Sequence, residues 1–404
     1  MNAATILQAR YRHLHAPDPA QEPALAQSLA KGPAGVALWH IENALTGAGE
    51  WEPVKAWLAA ATRAEVTAAD SACLTYGAPA LAFVLHAAGA DGQDRYRPAR
   101  DQLDAATAAL AHRRVEAAHA RIRRGELPAF AEYDLLHGLT GIGVHLLHHT
   151  PGDDALAAVL SYLVALTRPL SVDGEKLPGW WCAHHPHRFH TPGGHANFGM
   201  AHGITGPLAL LAQALRRGAI VDGQREAVAT ITAWFDRWQQ HGDRGPWWPE
   251  AITREEEAAG RPHNPRPGRP SWCYGTPGIT RALQHAAIAT ADTSRQQAAE
   301  DALAACLTDE RQLSQLTDSE ACATARPACS RPCGGPRKML VHPPSVPPPA
   351  VSPAPSPAST PSRAPRSSKA PPDRASPRPP PCTTGHPRHK SPAHRAVHGW
   401  GSRT

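Results

Sequence analysis

The sequence predicts an all-α fold built from repeated helical pairs, and three observations carry that prediction. A small-residue turn of the Gly-x-x-Gly kind recurs five times, each time opening an apolar segment of helical length. Between the turns lie further segments whose apolar residues recur at helical spacing. Strand-like alternation of apolar and polar residues is scarce throughout. Repeats of this kind, each holding two helices, stack as an open solenoid or close into a ring of helical pairs. In a ring the glycine turns, all opening equivalent helices, gather at one end.

In chain order, Met1 to Leu14 reads as an amphipathic helix, followed by a Pro-containing break from Ala16 to Pro23. The first turn is Lys31-Gly32-Pro33-Ala34-Gly35 and the second Tyr76-Gly77-Ala78-Pro79. The third is His137-Gly138-Leu139-Thr140-Gly141, the fourth His202-Gly203-Ile204-Thr205-Gly206, and the fifth Tyr274-Gly275-Thr276-Pro277-Gly278. Proline suits the first helical position, where its missing N–H costs nothing. The intervening helices are Asp101 to Arg123, rich in alanine, Asp154 to Leu166, with Leu156, Val159, Leu160 and Leu163 on one face, and Glu226 to Gln240. Ile279 to Thr290 forms the helix behind the fifth turn. Cys273, just before that turn, sits at a helix mouth, where the dipole favours a thiolate and a soft metal ligand.

Composition divides the chain at residue 318. Of the 404 residues 42 are proline, too many for a globular chain, and 21 of them fall between Ser319 and Thr404. That tail also carries 13 of the 41 Lys and Arg residues but only Glu320 and Asp373 as acids. The net charge of +6 is therefore a property of the tail, and the body is mildly acidic. Nothing here argues for a body that binds nucleic acid. Residues 1–318 are expected to form one helical domain and 319–404 a disordered Pro/Ser/Arg-rich tail. The eight cysteines are scattered, as in a reduced cytosolic protein. The N-terminus lacks the apolar core of a signal peptide, and no run reaches the length of a membrane span. A soluble, cytoplasmic body is expected.

Three turns together resemble the lanthionine synthetase C family, the cyclases of lantibiotic biosynthesis: Tyr133-Asp134-Leu135-Leu136-His137-Gly138-Leu139-Thr140-Gly141, Gly199-Met200-Ala201-His202-Gly203-Ile204-Thr205-Gly206, and Trp272-Cys273-Tyr274-Gly275-Thr276-Pro277-Gly278. The likeness runs from about residue 25 to 318. It implies an (α/α) barrel of nested helices with one zinc ion at the glycine-rich end. It further implies a reaction in which a cysteine thiol of a dehydrated precursor peptide adds to dehydroalanine or dehydrobutyrine, closing a thioether ring. A dehydratase and a peptide exporter are the partners such a cyclase implies. By this resemblance Cys273 is a zinc ligand and His202 the acid or base at the reacting centre. Asp134 would orient that histidine, and Arg269 would steady the enolate oxygen. Zinc keeps a thiol as thiolate near neutral pH, and a histidine suits the proton transfer.

The chain departs from the family after Leu316-Thr317-Asp318. There the family supplies two further zinc ligands from a Cys-His-Gly turn, and no Cys-His pair occurs anywhere in this sequence. Back-translated with one choice of codons, Ala321 to Ala328 reads Leu-Cys-His-Gly-Pro-Ala-Gly-Leu in a shifted frame, which is the missing motif in the expected place. The sequence therefore implies a frame shift near residue 318 or, as the alternative, a genuine disordered tail in place of the last repeats; in either case the ring is expected to be open and the activity impaired. Cys322, Cys329 and Cys333 could replace the ligands only if the tail set them in tetrahedral geometry. Cys182, His184, His185, His187, His190 and His195 form a second His/Cys-rich stretch, read as a polar loop at the barrel mouth. Two other classes are weaker fits. A glycoside hydrolase needs paired carboxylates, and only Asp134 lies in a repeat turn. A non-catalytic peptide-binding scaffold requires no ligands at all.

Overall fold

The computed structural model describes residues 17, 25–184 and 191–316. The expected helix at Met1 to Leu14, the end of the Leu316-Thr317-Asp318 segment and the whole tail from Ser319 lie outside the described residues. So do His185, His187 and His190 of the His-rich stretch.

Each glycine turn opens a helix, and each of these helices pairs with the next long one. Pro33–Leu45 (α1) packs on Trp51–Ala61 (α2), and Ala78–Ala87 (α3) on Arg97–Arg123 (α4). Phe130–Tyr133 (α5) is a single turn leading into Leu139–His149 (α6), which packs on Asp154–Leu166 (α7). Thr205–Arg216 (α8) packs on Gln224–Trp238 (α9), and Thr276–Thr290 (α11) on Thr293–Thr308 (α12), with the short Arg254–Ala259 (α10) between these pairs. The turn-opened helices also pack on one another in the row α1, α3, α6, α8, α11, while α4, α7 and α9 lie against the next pair as an outer layer. This is the nested arrangement expected of an (α/α) barrel. Among the described residues α1 and α11, the ends of the row, do not pack side by side.

Helix ends follow from local chemistry. Asp153 caps α7 by accepting from the Ala155 N–H at 2.8 Å, so the helix starts where the apolar periodicity begins. The helix expected from Asp101 starts at Arg97 instead, because Pro98 supplies its first turn. The helix expected over Glu226 to Gln240 lies two residues earlier, ended by the extended Gln239. Glycine is required inside the turns because the chain doubles back on its own helix. A Cβ on Gly141 would strike the Leu135 carbonyl, and one on Gly278 the Trp272 carbonyl, each six residues earlier.

The turns are tied into a row by hydrogen bonds between repeats. Leu29 N–H donates to the Thr75 carbonyl at 3.0 Å, and the Thr75 hydroxyl to Leu136 at 3.5 Å. Leu135 N–H then donates to Ala201, and Ala201 N–H to Cys273, each at 3.2 Å. Equivalent threonines clip the third and fourth turns from within: Thr140 donates to Tyr133 (2.6 Å) and Thr205 to Phe198 (2.5 Å), each seven residues back.

Six short strands form three two-stranded antiparallel ribbons: Leu170–Val172 (β1) with Glu175–Leu177 (β2), His195–Asn197 (β3) with Ala251–Thr253 (β6), and Gln240–Gly242 (β4) with Gly245–Trp247 (β5). Three residues are too few to show alternation in sequence. The β3–β6 ribbon matters for the site, because it joins the approaches to the fourth and fifth turns. Phe198, just after β3, stacks on Trp234 (centroids 5.9 Å) and meets Phe235 edge-on (5.5 Å), anchoring that approach to α9.

The turn geometry predicts a sharp contrast between two glycines. Gly141→Ala should cost about 2–3 kcal/mol by overpacking against backbone, whereas Gly152→Ala, with open space around it, should be nearly neutral. Urea unfolding of both variants checks this; equal, small losses would show that the turn row has slack.

Candidate active site

Asp134 follows the single helical turn α5 and is buried where the third turn begins. Its Oδ1 accepts from the N–H groups of His137 (2.6 Å) and Gly138 (2.7 Å). Its Oδ2 meets His202 Nδ1, from the neighbouring turn, at 2.5 Å, and His137 Nδ1 at 3.5 Å. The carboxylate therefore both caps its own turn and crosses to the next. Burial pushes the Asp134 carboxyl up, but the hydrogen bonds from His137 and His202 outweigh it and hold it below the usual range. An ionised carboxylate can only accept, so His202 Nδ1 carries the proton of that bond. The imidazole is fixed in one tautomer with Nε2 left for chemistry.

The approach to Asp134 is itself clamped. Arg121 of α4 forms a two-toothed ion pair with Glu132 (2.6 and 3.2 Å), and the Tyr162 hydroxyl donates to the same carboxylate at 2.7 Å. Arg114, also on α4, donates to the carbonyls of Ala72 (3.2 Å), His137 (2.9 Å) and Ala131, tying the second turn to the third. Neither arginine stood out in the sequence, because an alanine-rich helix with scattered basic residues reads as a solvated face.

His137 is the residue the motif contained without a role. Its ring lies parallel to that of His202, with centroids 5.5 Å apart and planes 7° from parallel. Its hydrogen bond to Asp134 raises its pKa, so a second, half-exposed imidazole with a raised proton affinity stands over the first. The three-residue spacing from Asp134 was the available signal. Phe130 and Tyr274 close the sides of His202, at 6.3 and 6.1 Å between ring centroids.

Cys273 stands on the adjacent turn, its carbonyl bonded to Ala201 N–H, one residue from His202. The sequence places a thiolate here on the strength of the helix dipole, and burial works against it. Burial pushes the Cys273 thiol up, and the nearby charge of Arg269 offsets this only partly. Arg269 itself is exposed, on the strand of chain leading into the fifth turn. The structure thus brings Asp134 and His202 into contact and sets Cys273 and Arg269 on the next turn of the row.

The zinc that the resemblance implies needs several ligands, and the donor set does not supply them. Three groups among the described residues could hold a metal: His86 with Asp104 and His145, Asp134 with His137 and His202, and His112 with Asp153 and Asp154. Cys273 belongs to none of them. A cage around Cys273 would have to draw its other ligands from outside the described residues. At its described ends the His-rich stretch is not a polar loop. Cys182 and His195 are buried and paired through their backbones (2.9 and 2.8 Å), and burial pushes the Cys182 thiol to about 12.

The description of the family whose model matches residues 23–318 is "Lanthionine synthetase C-like protein". No curated protein matches the chain in sequence. Among solved structures, nisin cyclase matches with a TM-score of 0.58, covering 76% of this chain and 74% of its own, at 19% identity. A likeness at that identity is one of fold.

Asp134 should be the most costly polar side chain of the site to remove. Asp134→Ala leaves two backbone N–H groups and His202 without their acceptor, a loss of about 3–5 kcal/mol, and Asp134→Asn about half that. Denaturant unfolding gives both values; a loss below about 1 kcal/mol for alanine would mean water replaces the carboxylate freely.

Proposed function

This chain belongs to the lanthionine synthetase C-like family, and from that premise we propose that it derives from a peptide cyclase forming thioether rings. The substrate would be a dehydrated precursor peptide, delivered by a dehydratase and passed to an exporter. The observation that carries the reading is the His202–Asp134 contact at 2.5 Å across neighbouring glycine turns. In the proposed step the substrate thiol gives its proton to His202 Nε2, its sulfur forms a bond to the β-carbon of a dehydroamino acid, and the π electrons move onto the carbonyl as an enolate. The α-carbon then takes a proton from His202 Nε2. Asp134 acts as a positioning residue, holding Nδ1–H and stabilising the imidazolium between the two transfers. Arg269 would stabilise the enolate oxygen, and Cys273 would serve as a metal ligand.

In the chain as it stands the thiol-activating half is incomplete. With one candidate ligand at the fifth turn there is no chelate cage, and cage affinity comes from several ligands held together. A free thiol of pKa about 8.5 is only a few per cent thiolate at neutral pH. We infer an impaired cyclase with its proton-handling half intact. The isolation of Cys273 from every ligand group also favours a second reading, a non-catalytic peptide-binding helical scaffold. We place the protein in the cytoplasm: Cys73, Cys182, Cys273 and Cys306 are all free thiols, and no helix among the described residues is long and apolar enough to cross a membrane.

Expressing this chain beside a version with the alternative frame restored after Asp318 tests the reading. Restoration should bring stoichiometric zinc and loss of free thiol on a dehydrated peptide together. Within the restored protein, His202→Ala should slow ring closure by about 10²–10⁴-fold while keeping zinc, and Cys273→Ala should lose zinc. Rapid cyclisation by the unrestored chain, or full zinc in Cys273→Ala, would contradict this.

A further inference from the structure

A second cluster lies far from the glycine turns along the same helices. His86 is one residue from the C-terminal end of α3, and His145 and His149 lie in the last turns of α6, whereas the glycine turns open the N-termini of both. Asp104, from the outer helix α4, reaches between them. One of its oxygens meets His86 Nε2 at 2.8 Å and the other meets His145 Nε2 at 2.8 Å. The three ligand atoms lie within 4.8 Å of one another. His149 stacks on His86 at 3.7 Å between centroids and sits 4.8 Å from the ring of His145.

We propose that His86, Asp104 and His145 form a binding site for a divalent first-row transition metal, zinc foremost, distinct from Cys273. Three features support it. The donor set is two imidazoles and a carboxylate, which suits zinc and its neighbours and not calcium or magnesium. The site is enclosed: the His145 side chain has no exposed surface and Asp104 only 13%. The C-terminal ends of α3 and α6 both point negative dipole at the cluster, which favours a cation there.

A metal replacing the two Nε2–H donors requires His86 and His145 to move their ring proton to Nδ1, with no net charge lost from the imidazoles. The ion would join α3, α4 and α6, two neighbours of the inner row and the outer helix between them.

Cobalt(II) added to the chelator-treated full chain separates this site from one at Cys273. The Cys273→Ala protein should still bind one cobalt, with visible d–d bands and no near-ultraviolet thiolate-to-metal charge transfer, and its Tm should rise on binding. His86→Gln and Asp104→Asn should each weaken that binding about 10–100-fold and abolish the Tm rise. His86 is partly exposed, so its variant carries the test if Asp104→Asn fails to fold by circular dichroism. Undiminished binding by His86→Gln would assign the metal to other histidines and overturn the proposal. Absence of binding by Cys273→Ala would overturn it equally.

Discussion

One carboxylate holds the functional end of this protein in register. Asp134 is buried, and burying a charge is costly unless every lone pair is used. Here both oxygens are used, one on the N–H groups of its own turn and one on His202 of the next. The same contact that stabilises the third turn therefore sets the position and tautomer of the histidine on the fourth. Stability and chemistry depend on one atom pair, which is why the surrounding chain spends Arg114, Arg121, Glu132 and Tyr162 on fixing the segment that carries it.

The row of turns extends this logic along the fold. Each repeat contributes a close-packed turn whose backbone bonds to the next, so a side chain at a given turn position lands beside its counterpart in the neighbouring repeat. His202 and Cys273 become neighbours in space through that register although they are far apart in sequence. The family membership of the chain gives the arrangement a chemical meaning, and the proposed cyclase reading uses it directly. The third and fourth turns brace each other locally, through the Asp134–His202 contact and the Leu135–Ala201 hydrogen bond.

Much of the fold was legible in the sequence because its signals are local. Gly-x-x-Gly before an apolar run specifies both the turn and the helix behind it, and Asp154 to Leu166 could be bounded by its period alone. Asp134, His202 and Cys273 were singled out because each sits in a turn motif, and Arg269 because it leads into the fifth turn; the structure brings the first two into contact. What escaped were relations between repeats. The stacking of His137 on His202, the reach of Arg114, and the convergence of His86, Asp104 and His145 arise only when separate helices pack. The setting of the Cys273 thiol escaped for another reason: its helix-mouth position favours the thiolate, but burial, invisible in sequence, works against it. The short ribbons lay below the length at which a period of two can be seen.

The central claim is that Asp134 fixes His202 as the Nδ1–H tautomer with Nε2 free. Nitrogen-15 NMR of the imidazole rings, compared between the native chain and Asp134→Asn, reads this directly. The account predicts that the neutral ring of His202 in the native chain carries its proton on Nδ1 with Nε2 bare, and that this fixed pattern is lost in the variant. A native His202 that is protonated at Nε2, or that averages between tautomers, would contradict it.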